Sequence, residues 1–188
     1  MSESKPRAGL APRATLALVV ALFVLPILIA AWMARNQAGL DGQLLVNHGM
    51  FIRPPLDIET DPATAPLRDV ALGPGEWAIV YFTSGACDAP CPTVVETLLT
   101  LKSLLGNAAT RVRVVRVSDE AAAAEHGLIS IADPGVRQRL AGLASSEVDS
   151  GVVFLDWRGQ IMMLFPATAP PADIKSDLKR LLRASKIK

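Results

Sequence analysis

The chain has 188 residues, 51% of them hydrophobic, and a formal net charge of +1. Once an N-terminal hydrophobic segment is set aside, that length holds one ordinary domain. With balanced charge and no basic patch interleaved with aromatics, the composition excludes a nucleic-acid-binding signature.

The first element in chain order is Ala14 to Ala34, which has no charged residue and is rich in Leu, Val, Ile, Ala and Phe. It is long enough to span a bilayer as a helix, and Pro26 inside it is compatible with that role. Lys5, Arg7 and Arg13 precede the run, and Arg35 follows it. The positive-inside bias therefore predicts a cytoplasmic N-terminus over residues 1–13, a signal anchor over 14–34, and the bulk of the chain outside. A cleaved signal peptide competes with this reading, but the apolar run is long for one and Ile29 to Ala34 is an imperfect cleavage context. The expected location is a bacterial inner membrane, crossed once, with the C-terminal domain in the periplasm, where disulfides persist.

Residues 35–75 read as a periplasmic linker and extended lead-in to a domain over 76–188. Two Pro-rich patches interrupt the stretch, Arg53-Pro54-Pro55-Leu56 and Thr60 to Pro66. A short strand is expected near Leu67 to Leu72. From Trp77 the pattern sharpens. Trp77 to Thr83 is a continuous apolar run, as in a strand buried on both faces. Val94, Val95, Leu98, Leu101, Leu104 and Leu105 then recur at helical spacing, with Gly106 as a stop. Arg111 to Val117 is β-branched and partly alternating, hence a strand. Its Arg111 and Arg113 are expected on a solvated side, with Arg116 at the strand end. Asp133-Pro134 supplies an N-cap and a first-turn proline for a helix reaching about Ala144. Gly151 to Trp157 and Gln160 to Phe165 read as strands joined by a tight turn at Arg158-Gly159. The last segment places Ile174, Leu178, Leu181 and Leu182 on one face of an amphipathic helix whose lysines and arginines fall largely elsewhere.

This order is the βαβαββα core of a thioredoxin-like α/β fold, here preceded by a single transmembrane helix. The two cysteines of the chain, Cys87 and Cys91, lie in Tyr81-Phe82-Thr83-Ser84-Gly85-Ala86-Cys87-Asp88-Ala89-Pro90-Cys91-Pro92. They stand between the first core strand and its helix, where that fold keeps its reactive pair. Element order and cysteine position agree independently. At a helix N-terminus the dipole and free backbone N–H groups favour thiolate. Cys87, in the loop before the helix, is the expected nucleophile and Cys91 the resolving thiol. Asp88 opposes thiolate formation somewhat.

With Tyr81-Phe82-Thr83 running into Cys87 and Cys91-Pro92, the chain resembles a divergent member of the Sco/SenC family, membrane-anchored thioredoxin-fold proteins of cytochrome c oxidase assembly. Asn47-His48-Gly49 followed by Pro54-Pro55 resembles the lead-in of short anchored proteins of the same kind. The resemblance implies Cu(I) as a cofactor, and a respiratory oxidase subunit or another assembly factor as partner. It also implies a third copper ligand, a histidine just before the strand of the terminal hairpin. Here the corresponding stretch, Glu147-Val148-Asp149-Ser150-Gly151, has none, and carboxylate is a hard and poor substitute for imidazole on Cu(I). Thioredoxins proper place a proline before that strand, and this chain has none near Val148.

Three uses of the cysteines remain open. One is copper handling by Cys87 and Cys91, with a third ligand from His48, His126, Met162 or Met163. Of these His48 is the leading candidate, provided the lead-in folds back. The second is dithiol–disulfide exchange, as in a general periplasmic oxidoreductase or in keeping a partner's metal-binding cysteines reduced. The third is a structural disulfide, whose short loop brings little entropic gain, within a non-catalytic scaffold of a membrane complex. His48 otherwise reads as a turn residue and His126 as a helix-end residue. Met162 and Met163, adjacent in a strand, are expected on opposite faces.

Overall fold

The computed structural model describes residues 12–35, 47–70, 72–121, 126–143 and 148–185. The expected cytoplasmic tail before Pro12, the linker over 36–46, the run Ala122 to Glu125, the helix end at Ala144 and Glu147 lie outside the described residues. Two compact units result, residues 1–46 and 47–188. The first contributes helix α1, Pro12–Arg35, with Pro26 inside it. Its span Arg13–Trp32 is long and apolar enough to cross a membrane by length and composition.

The second unit is a six-stranded mixed sheet with helices on both faces. Its strands are β1 (Met50–Asp57), β2 (Trp77–Thr83), β3 (Val112–Ser118), β4 (Leu128–Ala132), β5 (Gly151–Asp156) and β6 (Gln160–Pro166). They lie in the order β1-β6-β5-β2-β3-β4. β2 runs parallel to β3 and antiparallel to β5, β3 runs parallel to β4, and β6 is antiparallel to both β5 and β1. Helices α2 (Cys91–Ser103) and α4 (Pro171–Ala184) cover one face, and α3 (Pro134–Ala141) covers the other. The strand–helix order expected from sequence is present as β2-α2-β3-α3-β5-β6-α4, the thioredoxin-like core.

Alternation along the strands divides the apolar residues between two layers. Ile79, Tyr81, Val114, Phe154 and Phe165 pack under Val95, Leu98 and Leu101 of α2 and Ile174, Leu178 and Leu182 of α4. Val80, Phe82, Val115, Val117 and Leu155 pack against Val136 and Leu140 of α3. Every residue of β2 is buried, as its unbroken apolar run requires of a central strand. Asp133 caps α3 by accepting from the Gly135 and Val136 amides at 2.8 and 3.0 Å. The β5–β6 turn closes on Gly159, at φ 79°, with Asp156 Oδ1 accepting from the Arg158 and Gln160 amides.

Two strands lie beyond the expected core, one at each edge of the sheet. The lead-in forms β1, whose Pro54 and Pro55 sit where its register with β6 shifts between Phe51 and Leu56. An edge position is where a strand tolerates proline, because one side of the backbone needs no partner. β4, the opposite edge, is half exposed. Its five residues were too short to separate from loop by pattern.

Three local expectations are corrected. Residues 62–70 form a 3-10 helix, not a strand, and bury Leu67 and Val70 beneath the α3 face. Arg116 is not at a strand end. It lies inside β3, 1% exposed, and donates from Nη2 to Ser130 Oγ at 2.9 Å. Met162 and Met163 do not face opposite layers. The register shift that pairs Phe154 with Met163 but Leu155 with Ile161 is a β-bulge at Met162, and both methionines pack on the α2–α4 layer.

Candidate functional site

The site grows out of the carboxyl end of β2. After Thr83 the chain turns through Ser84 to Pro90, with Gly85 at φ 66°, and enters α2 at Cys91. Within the loop the Asp88 amide donates to Ala86 O, and the Cys91 amide to Asp88 O, both at 2.7 Å. The Ala89–Pro90 peptide is cis. Pro92 in the first helical turn has no N–H to leave unsatisfied, and no side chain among the described residues caps this helix.

Cys87 and Cys91 form a disulfide with Cα atoms 5.2 Å apart. Their environments differ. Cys87 is half-buried on the loop, whereas Cys91 is 1% exposed and part of the core beneath α2. Cys87, although it also packs against the core, is thus the more accessible residue of the pair, and Cys91 is shielded. The pair can open and close by thiol–disulfide exchange with this built-in asymmetry.

Asp119, in the turn after β3, binds the same loop. Its Oδ2 accepts from the Gly85 amide at 2.7 Å, and its Oδ1 accepts from Arg137 Nε at 2.9 Å. The Gly85 hydrogen bond, aided by Arg137, lowers the Asp119 pKa below the ordinary aspartate value. Nothing in the sequence singled out Asp119, because its partners are 34 and 18 residues away.

His48 is held at α4. Its backbone N–H donates to Asp177 Oδ2 at 2.6 Å, and the Gly49 N–H donates to the same oxygen at 2.9 Å. The His48 ring faces Asp177 through Nδ1 at 3.4 Å and Asp173 through Nε2 at 3.6 Å. The lead-in does fold back onto the domain, and the partners it meets are carboxylates. Asp177 is 1% exposed although its side chain is a carboxyl group. Its place beside Ile174 and Leu178 on the apolar face of α4 was the one signal that could have marked it. His126 is exposed in the turn before β4. Asp149 is also exposed, and Ser150 is half-buried. Among the described residues no three His, Cys, Asp or Glu side chains gather into a metal-holding group. The reduced cysteine pair would supply two thiolate donors to a soft ion.

A groove of about 720 Å³ lies between α2 and α4, floored by Leu101 and Leu104 and flanked by Glu96, Lys175 and Lys179. It follows the later turns of α2, not the first turn that carries Cys91.

No curated protein matches the chain. Solved structures of low identity do. BsSco, a member of the Sco family of cytochrome c oxidase assembly proteins with an identified disulfide switch, is 14% identical with a TM-score of 0.43; the match covers 78% of this chain and 99% of that one. Arabidopsis thaliana ScoI with copper bound is 11% identical with a TM-score of 0.46, over 74% of this chain and 99% of that one. A secreted thiol-disulfide isomerase from Corynebacterium glutamicum is 16% identical with a TM-score of 0.46, over 62% of this chain and 75% of that one. A family model described as transmembrane-like, thioredoxin-like, C-terminal domain matches residues 77–185, from the first residue of β2 to just past α4, and the chain belongs to that family.

Proposed function

We propose that this chain is a membrane-anchored thiol–disulfide exchange protein acting through Cys87 and Cys91 on the periplasmic side of a bacterial inner membrane. The observation that carries the reading is the asymmetry of the disulfide, one sulfur half-accessible on a loop and the other buried at the head of α2. A partner thiolate attacks Cys87 Sγ. The Cys87–Cys91 bond breaks, a mixed disulfide forms, and the electron pair leaves on Cys91. There the amino end of α2 favours the thiolate by its dipole. A second partner thiolate then displaces Cys87, leaving an oxidised partner and a reduced pair. The reverse sequence reduces a partner disulfide.

The proposed setting is the assembly of a respiratory oxidase, on the resemblance of residues 81–92 to the Sco motif, with an oxidase subunit or another assembly factor as partner. Cu(I) is a proposed ligand of the reduced pair, two thiolates being sufficient for a two-coordinate soft ion.

The test is trapping in membranes. Cys91→Ser leaves the accessible sulfur without its resolving partner and accumulates a mixed disulfide through Cys87. Cys87→Ser leaves a buried thiol and traps nothing. Equal trapping by both variants, or none by either, removes the exchange reading. A Cu(I) titration of the reduced full chain in micelles against a competing chelator tests the ligand. One copper lost in Cys87→Ser/Cys91→Ser and retained in His48→Ala is expected. Oxidase assembly that persists in the double serine variant would leave a scaffold role.

A further inference from the structure

We propose that Asp119 is a positioning residue for the cysteine pair, its carboxylate braced by Arg137 and fastened to the Gly85 amide so that the Ser84–Pro90 loop keeps Cys87 at bonding distance from Cys91. This inference rests on the exchange reading above and assigns what sets the equilibrium of that pair.

Three observations converge on it. The other loop hydrogen bonds described, Asp88 N to Ala86 O, Cys91 N to Asp88 O and Val94 N to Pro90 O, stay between the loop and the start of α2. The Gly85–Asp119 bond, at 2.7 Å, is the one among the described residues that ties the loop to the turn after β3. Second, Gly85 sits at φ 66° with nothing within 4 Å of where a Cβ would stand. Its glycine serves backbone conformation, which aims the N–H at Asp119, and not close packing. Third, Asp119 is itself fixed. Arg137 donates to it at 2.9 Å, and Arg137 rides on α3, whose cap Asp133 donates its own N–H to Ser118 O at 2.9 Å. The loop is thus hung from two elements of the core that do not carry the cysteines.

The consequence is redox. In exchange with a dithiol such as dithiothreitol, the protein disulfide accepts two electrons and two protons and becomes two thiols, while dithiothreitol becomes its cyclic disulfide. With the fastening in place the reduced loop still presents Cys87 to Cys91, so reclosure orders little backbone. Without it the reduced loop gains freedom that closure must remove, and the dithiol is favoured.

The test measures the equilibrium constant of the full chain in micelles with dithiothreitol, for wild type, Asp119→Ala, Gly85→Ala and Arg139→Gln. Freeing about one residue's backbone predicts a shift toward the dithiol of about tenfold, close to 30 mV for a two-electron couple. Asp119→Ala also removes a charge near the thiols, whereas Gly85→Ala strains the same tether without altering charge. A shift in both assigns the effect to loop position. Arg139→Gln removes a comparable pair with Asp61, at 2.6 Å, away from the loop. It is expected to lower stability equally in both redox states and to leave the equilibrium constant unchanged. If wild type equilibrates while Asp119→Ala and Gly85→Ala match it, the positioning role is overturned and the exchange reading stands. A shift in Asp119→Ala alone also overturns it, in favour of a field effect. A wild-type disulfide that does not equilibrate at all overturns both. Should Asp119→Ala fail to fold, Gly85→Ala decides between these outcomes.

Discussion

Asp177 is the most exacting position in the domain outside the cysteines, and its replacement by alanine has a calculable outcome. Its buried carboxylate accepts two backbone N–H groups through one oxygen, from His48 at 2.6 Å and from Gly49 at 2.9 Å. The Gly49 bond is buried, so without an acceptor that amide loses roughly 2–3 kcal/mol. The His48 side chain is 44% exposed, so water takes over part of its amide bond and the loss there is about 1 kcal/mol or less. Asp177→Ala is therefore expected to cost about 3 kcal/mol, or about a hundredfold in local protection. Asp177→Asn keeps an oxygen where both amides point and presents its NH2 toward His48 Nδ1, so about 1 kcal/mol is expected. Hydrogen exchange of the full chain in micelles, read at the amides of residues 48–52, separates the two variants. Equal effects of Ala and Asn, or a loss below about 0.5 kcal/mol for Ala, would refute the clamp and the burial argument behind it.

Other expectations follow from the same geometry. A Cβ at Gly151 would stand 2.8 Å from both Phe165 O and Phe82 Cζ. Gly151→Ala should then cost about 1–3 kcal/mol in urea unfolding, since a backbone oxygen cannot yield as a flexible side chain does. Phe154→Ala, which removes a fully buried ring paired with Phe165 at 5.3 Å, should cost about 3–5 kcal/mol in the same assay. Among the described residues, three carboxylates have lowered pKa values: Asp61 chiefly through Arg139, Glu76 chiefly through the Gly73 amide, and Asp119 chiefly through the Gly85 amide. Because the folded values lie below the unfolded ones, their contribution is present above the ordinary values, 3.8 for aspartate and 4.5 for glutamate. It is lost as pH falls through the lower, folded values. Unfolding midpoints should drop over that acid window, and less so in Arg139→Gln; a flat profile there would contradict the pairing.

The core was legible in the sequence because its signals are local. A short, β-branched and aromatic apolar run fits a strand covered on both faces, and β2 is that strand. Apolar spacing along 94–105 marks α2, Asp133-Pro134 marks the start of α3, and Arg158-Gly159 marks the hairpin turn. A cysteine pair at a strand–helix junction falls at the head of α2 by chain connectivity alone. Local pattern misled where the ladder itself departs from regularity. The bulge at Met162 exists only in the pairing of β6 with β5, so period-two reasoning put Met162 and Met163 on opposite faces. Edge strands β1 and β4 have one open side, and they need neither the apolar density nor the length by which strands are recognised.

What only the tertiary structure decided is which distant groups meet. The sequence determined that two cysteines would share one loop and helix end, since four residues of separation leave little choice. It could not determine that Cys87 is half open and Cys91 closed, because that depends on what α2 packs against. Nor could it place His48, whose turn-like neighbours are equally consistent with free chain and with a clamp on Asp177 129 residues away. Hydrogen-bonding groups carry no address in the sequence; burial of Asp177 and the path of the chain around the sheet supply it.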